Sequence, residues 1–458
     1  MEAEGSNLPT TLLDILSNTL ILHQTAPYLP VPAVLNLSAT SKDFRSLIYN
    51  SPDAFRYVDL STVKSANVPY APVDNGGINW RCQRMDEALT EDDFYCGPLR
   101  GIFSQFGRKK ILGFVQILIL DGLTVPADLV RELVAEDRFN VRILSIREVK
   151  HLNERKLRQV LEYAVRPTRP EGTPKLRALY YFGPRDLPAR EKGLPRVAMP
   201  GRSNPGALNT GVMGSEGAQI GAEWNQRSRE ALNTAVPGQT DEWYSSSGRM
   251  IKKAHCSEWG ETLKACEGII AFDAVLCRGP RHDPRAVLRG SSGNPEAAFG
   301  KVMSYLKPQV ANVALGPSGC ASCGNAPEEV AVFGISSTEE LPLLSPPPLH
   351  SSTLRAAQSP FSLPDSSSLK LTVRCEECLE GRWCERCNVW WCEECYREPA
   401  SRFQIQQQQQ NNATEALSWT SSGIGDPSEK IKVHLGLCVE HCLVGEMMSG
   451  AGSNGMWA

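Results

Sequence analysis

Apolar, periodic sequence occupies four stretches of the chain, 8–60, 111–183, 257–316 and 370–396. In the first, Leu12, Leu13, Leu16 and Leu20 recur at helical spacing, with Asn7 available as a cap and Pro9 in the first turn, which predicts a short amphipathic helix. After YLPVP, a second helical stretch places Val34, Leu35, Leu37, Phe44, Leu47 and Ile48 on a recurring face and stops at the Asn50, Ser51, Pro52 breaker. The second stretch alternates in kind. Strand patterns at 115–122, 141–149 and 176–183 are separated by helical patterns at 126–137 and 153–165, with Leu129, Leu133 and Val134 inward. The alternation resumes in the third stretch with SEWGETLKACEG as helix, IIAFDAVLC as strand, EAAFGKVMSYL as helix and VANVALG as strand.

Gly, Pro and Ser-rich sequence separates these stretches. Residues 184–247 carry too few large apolar side chains to offset their own ordering entropy and read as a disordered insertion. Loops at 341–366 and 401–428, the latter holding the Gln406–Gln410 run, read as surface insertions.

The order of parts at the start is specific. Leu-Pro, an apolar helix, YLP, a second apolar helix, TSKDFRSLI and DAFRYVDL resemble the F-box, through Leu8, Pro9, Leu12, Leu13, Leu16, Leu29, Pro30, Leu35, Leu37, Ser41, Phe44, Leu47 and Ile48. Thr11 stands where that motif often has an acidic residue, and NTLILHQTA lengthens the link to YLP. The resemblance implies helix-in-groove docking on the Skp-type adaptor of a cullin-RING ubiquitin ligase, with Leu8, Pro9, Leu12, Leu13, Leu16, Leu29, Pro30, Leu35 and Phe44 as the adaptor-binding set. The strand–helix alternation of the middle resembles leucine-rich repeats, although the units lack the turn Asn; an ordinary α/β domain with crossover helices gives the same order.

The expected architecture is therefore an α+β multidomain chain. It has an F-box-like helical bundle at 7–60, a leucine-rich-repeat-like α/β middle at 111–316 and a zinc-stabilised Cys-rich module at 317–450. A net charge of -3 over 458 residues gives the whole molecule no electrostatic footprint for nucleic acid or an anionic membrane. The acidic start MEAEGSNLPT does not read as a secretory signal, and no apolar run approaches the roughly 18 residues of a membrane span. A cytoplasmic or nuclear chain with reduced thiols is expected, and clustered cysteines there are more often metal ligands than disulfides.

Cysteine carries the candidate chemistry. Cys320/Cys323, Cys375/Cys378, Cys384/Cys387 and Cys392/Cys395 are four Cys-x-x-Cys pairs, and Cys438, His441 and Cys442 follow in CVEHC. The two-residue gap lets both thiolates of a pair reach one zinc at about 2.3 Å, and two pairs complete a closed tetrahedral site. Four pairs imply two structural zinc ions. The linkers 379–383 and 388–391 are too short for adjacent pairs to share an ion, which favours alternation: Cys375, Cys378, Cys392 and Cys395 on one zinc, and Cys384 with Cys387 on the other. The second site is completed either by Cys320 and Cys323 or by Cys438 with Cys442 or His441. Cys266, Cys277 and His282 read as packing around an apolar strand.

The run through NVWWCEECY resembles a ZZ-type cross-brace finger and lacks a RING-type Cys-x-His centre. Trp383, Trp390 and Trp391 are candidates for the small core between the ions or, where exposed, for a peptide-binding surface. Seven Glu against four Arg in 374–398 disfavour phosphate and favour a basic peptide. Closed thiolate sites leave no position for a reacting water, and neither His255–Cys256 nor His441–Cys442 makes a catalytic dyad as sequence neighbours. The expectation is a non-catalytic, substrate-recruiting adaptor of a cullin-RING ligase, partnered by the Skp-type adaptor, cullin and a protein substrate. The alternative is a zinc-finger protein acting directly as a ubiquitin ligase or as a nuclear peptide reader.

Overall fold

A computed structural model of the chain describes residues 11–67, 91–185, 248–284, 305–358, 370–396 and 431–445, apart from positions 252, 254, 317–318, 327–329, 334 and 394. Asn7, Leu8, Pro9, nearly all of the 184–247 insertion, the Gln run and most of the helix expected from EAAFGKVMSYL lie outside these residues.

The N-terminal part holds α1 (Leu12–Ser17), α2 (Thr19–Thr25), α3 (Val31–Thr40) and α4 (Lys42–Asn50), followed by β1 (Tyr57–Asp59). One amphipathic helix was expected from the leucine spacing, but the chain breaks at Asn18, whose side chain accepts from the N–H groups of Leu20 and Ile21 and starts α2. Thr11 caps α1 in a reciprocal box with Asp14, so the position where an acid is frequent in the F-box does capping work here. Leu16, Leu22 and Ala26 form a small core with Leu37, Phe44 and Leu47.

The long α5 (Glu91–Arg108) precedes an alternating run of β2 (Ile117–Ile119), α6 (Ala127–Ala135), β3 (Ile143–Ser145), α7 (Glu154–Val165) and β4 (Ala178–Tyr180). Beyond it come β5 (Gly248–Arg249), α8 (Trp259–Cys266) and β6 (Ala271–Phe272). A five-stranded sheet in the order β1-β2-β3-β4-β6 is parallel throughout. Its edge strand β1 comes from the span 7–60, and one core runs from Val31 on α3 to Ala274 past β6, so α3 and α4 cap the sheet rather than standing apart.

Strand alternation assigns the two faces of this sheet. Leu118, Leu144, Leu179 and Phe272 turn to the crossover helices. Ile117, Ile119, Ile143, Ala178 and Tyr180 turn the other way and are covered by Leu343 and Ala357. The segment expected as a surface loop at 341–366 is, over 341–358, a strap across the sheet. Leu343 N–H donates to Phe272 O at 2.8 Å, Tyr180 Oη–H donates to Ser345 O at 2.9 Å, and Arg56 donates to Leu349 O at 2.8 Å. The prolines suppress regular structure over the first part of the strap while Leu341, Leu343 and Leu344 remain buried, which is why composition alone misreads it.

Asp residues at the strand ends perform the service expected of a turn Asn. Asp121 accepts from Arg147 N–H at 2.8 Å and Ser145 Oγ–H at 2.7 Å, and Asp273 accepts the N–H groups of Tyr181, Phe182 and Gly183 at 2.9, 3.0 and 2.9 Å. A carboxylate at a parallel-strand end satisfies buried donors as an amide would.

The remaining elements are β7 (Val313–Ala314), β8 (Ala331–Val332), α9 (Leu354–Gln358), β9 (Lys370–Leu371), β10 (Val373–Arg374), β11 (Val433–His434) and β12 (Leu437–Cys438). VANVALG was expected to continue the strand–helix alternation. Instead β7 lies antiparallel between β10 and β5 in a separate three-stranded sheet, and so belongs with the Cys-rich module. Among the described residues no helix is long and apolar enough to cross a membrane.

Candidate metal centres

Among the described residues, three groups of four ligands come together: Cys277, His282, Cys375 and Cys378; Cys320, Cys323, Cys392 and Cys395; and Cys384, Cys387, Cys438 and Cys442. We call them sites A, B and C. Within each group all ligand atoms lie within 4.8 Å of one another. Cross-pair sulfur separations are 3.7 Å for Cys277–Cys378, 3.8 Å for Cys323–Cys392 and 3.7 Å for Cys387–Cys438. A tetrahedron with metal–sulfur bonds of about 2.3 Å has an edge of about 3.8 Å. The same separations exceed by far the roughly 2.05 Å of a disulfide. The donor sets, four thiols in two sites and three thiols with one imidazole in the third, suit zinc and can each hold an ion.

Sites B and C each begin with the same turn, written twice in the sequence. In B, Cys320 N–H donates to Asn325 O and Gly324 N–H to Cys320 O, both at 2.8 Å; in C, Cys384 N–H donates to Val389 O at 2.8 Å and Asn388 N–H to Cys384 O at 2.9 Å. The residue after the second cysteine must adopt a left-handed conformation, with φ 70° at Gly324 and 58° at Asn388. Gly and Asn are the residues that tolerate it, so Cys-x-x-Cys-Gly/Asn marks the turn directly.

Backbone N–H groups point at sulfur in both sites. Cys320 Sγ accepts from Ser322 N–H at 3.4 Å and Cys392 N–H at 3.2 Å, and Cys438 Sγ accepts from Cys442 N–H at 3.3 Å. Burial opposes ionisation of Cys320 and Cys384, but the surrounding N–H groups outweigh it and lower both thiols to about 7. Both are thereby prepared to bind a cation as thiolates.

Site A is built differently. Cys277 lies just past β6, and His282 closes the 3-10 turn that starts at Pro280. His282 Nδ1 lies 3.2 Å from Leu306 O, which holds the proton on that nitrogen and leaves Nε2, 3.2 Å from Cys375 Sγ, as the ligand atom. Gly279 makes room, since a Cβ there would sit 2.7 Å from Cys378 Sγ.

The eight cysteines expected as ligands all fall in these groups; Cys384/Cys387 take one of the two completions expected, Cys438 with Cys442, but the other pairs are partitioned differently and three groups stand where two ions were expected. Cys375/Cys378 do not face Cys392/Cys395; Cys392/Cys395 close with Cys320/Cys323, and Cys384/Cys387 close with Cys438/Cys442. His441 stays exposed outside site C. Cys277 and His282, read as packing, are the ligands missed; their Cys-x4-His spacing was the available signal, and their partners are almost a hundred residues away. Cys266 does behave as a buried apolar side chain, its thiol pushed up to about 12 chiefly by burial.

Trp383, Trp390 and Trp391 are all buried, packed among the ligands of B and C, so none offers a surface to a peptide in this structure. Of the adaptor-binding set, Leu12, Leu29 and Pro30 are exposed, Leu13, Leu35 and Phe44 are half-buried, and Leu16 is inside the helical core. Ile15, Leu20, Ile21 and Tyr28 are exposed as well and were missing from that set. Comparison of the chain with protein-family models, with curated proteins and with solved structures finds no match in any of the three.

Proposed function

We propose that this chain is a non-catalytic, substrate-recruiting adaptor of a cullin-RING ubiquitin ligase, docked on the Skp-type adaptor through α1, α2 and the turn after them. The observation that carries the reading is the apolar surface left open there. Leu20 is 75% exposed, Tyr28 66% and Leu12 56%, with Ile15, Ile21 and Leu29 also in solvent. Six large apolar side chains within eighteen residues are more than a soluble surface needs, and such patches mark interaction sites. Helices that keep only Leu16, Leu22 and Ala26 for their own core are suited to complete that core against a partner groove.

The rest of the chain would hold the substrate. The apolar face of the parallel sheet is closed by the strap, which leaves the Cys-rich module and the outer helices as the substrate-facing surface. Zinc in the module would supply folding energy, about 10–16 kcal/mol per site, that its small core lacks. Ubiquitin transfer would be accelerated by effective concentration, with no chemistry performed by this chain.

Pulldown of Skp-type adaptor and cullin with the full chain tests the reading. Recovery by the wild type and loss with Leu12→Glu combined with Leu20→Glu is the expected result. Both side chains point to solvent, so the fold should survive the change. Failure of the wild type to recover either partner would refute it.

A further inference from the structure

We infer that Cys277, His282, Cys375 and Cys378 hold a zinc ion that fastens the parallel-sheet unit to the Cys-rich module, and that the three zinc sites load as one interlocked set.

The joint follows from where the ligands originate. Cys277 belongs to the segment leaving β6 of the parallel sheet, whereas Cys375 directly follows β10 of the antiparallel sheet. An ion at site A therefore ties one sheet to the other. A buried charge lies beside the site. Arg382, 3% exposed, donates through Nε to Cys378 O at 2.7 Å and through Nη1 to Trp391 O at 3.1 Å. Three thiolates, an imidazole and a divalent cation sum to one negative charge, which adds to the Glu393 carboxylate, 3.5 Å from Arg382 Nη2, in offsetting the guanidinium.

Interlocking follows from chain order. Ligand pairs occur as A, B, A, C, B, C: 277/282, 320/323, 375/378, 384/387, 392/395, 438/442. Site A spans 93 residues between His282 and Cys375, B spans 69 between Cys323 and Cys392, and C spans 51 between Cys387 and Cys438. The B loop encloses the second pair of A and the first pair of C, so closing B shortens the path left to its neighbours and lowers their closure entropy. Contacts reinforce the link. Arg382 bridges a ligand of A to the residue before Cys392 of B, and Ala321 N–H donates to Trp390 O at 2.9 Å within the segment that carries C into B.

Native mass spectrometry of the full chain, stripped of metal and titrated with limiting zinc, tests both parts. Expected at one equivalent are metal-free and three-zinc chains with little between them, and saturation at three. Saturation at two would overturn the site A assignment, and a statistical ladder of one- and two-zinc chains would overturn the interlock. Cobalt substitution adds a readout that does not depend on a destabilised variant. The wild type should show two four-sulfur centres and one three-sulfur, one-nitrogen centre. His282→Cys should convert the third to four sulfurs with the ion count still three. An unchanged spectrum in that variant would remove His282 from the ligand set.

Discussion

Asp59 shows how a single side chain can make stability depend on pH. Its carboxyl lies at the end of β1, where burial raises it, against the Ser61 donors that lower it; Asp121 raises it further and Arg147 lowers it. A folded pKa above the unfolded one means that the folded state binds the proton more tightly. The contribution to stability is complete below the unfolded value near 3.9 and is lost as pH rises through the folded value. Asp59→Asn retains the Oδ1 acceptor for Ser61 N–H, 2.8 Å away, and carries no charge to desolvate. Melting temperatures of the two chains should nearly coincide at pH 4 and separate toward neutrality, with the variant higher. A variant that melts lower at pH 7 than at pH 4, relative to wild type, would show that the carboxylate is needed ionised.

At the scale of elements, the strap is the clearest consequence of packing that composition hides. Leu343 is 2% exposed and sits over Ile117, Ile119 and Ile143. Leu343→Ala should cost about 2–5 kcal/mol, the range for a truncated core leucine. Ile335→Ser, at a side chain 80% exposed, should stay within about 0.5 kcal/mol. Equilibrium unfolding of the two variants measures the contrast, and equal small effects would return the strap to the status of a surface loop. The comparison also shows what local pattern reveals. The alternation at 115–183 was legible because each strand and crossover helix carries its own period, and the cysteine pairs of sites B and C were legible from their two-residue gap, although the left-handed Gly324 and Asn388 that close their turns went unread. The partition of ligands was legible only in part: Cys438 with Cys442 stood among the completions read for Cys384/Cys387, but the partners of Cys375/Cys378 and of Cys392/Cys395 were not. It depends on β7 leaving the alternation to pair with β10, a contact between residues about sixty positions apart that no local period records.

On the scale of the whole molecule, the two ends of the chain rest on different sources of stability, and metal removal should separate them. None of the three ligand groups lies within the core that joins α3 and α4 to the parallel sheet, which runs through Phe55, Leu118, Leu144 and Trp259. The module core, by contrast, is Trp383, Trp390, Trp391 and Tyr396 with Val313, Leu315, Leu379 and Val433, packed among cysteines, and a core that small would depend on bound ions. The strap joins the two. It lies between the ligands Cys323 and Cys375 and reaches the N-terminal helices, where His350 O lies 3.2 Å from His23 Nε2 and His350 Nε2 lies 2.9 Å from Tyr28 Oη. A strong chelator should therefore shift tryptophan emission to the red as the three module indoles meet water, while the helical circular dichroism signal is largely kept. If the proposed docking holds, capture of the Skp-type adaptor should persist in the stripped chain, weakened several-fold at most by the loosened strap, whose contacts there reach His23 and, of the six exposed apolar side chains, Tyr28. Complete loss of adaptor capture on chelation, reversed by added zinc, would mean that the docking helices draw their stability from the metal module, and that the shared core with the parallel sheet does not suffice to hold them.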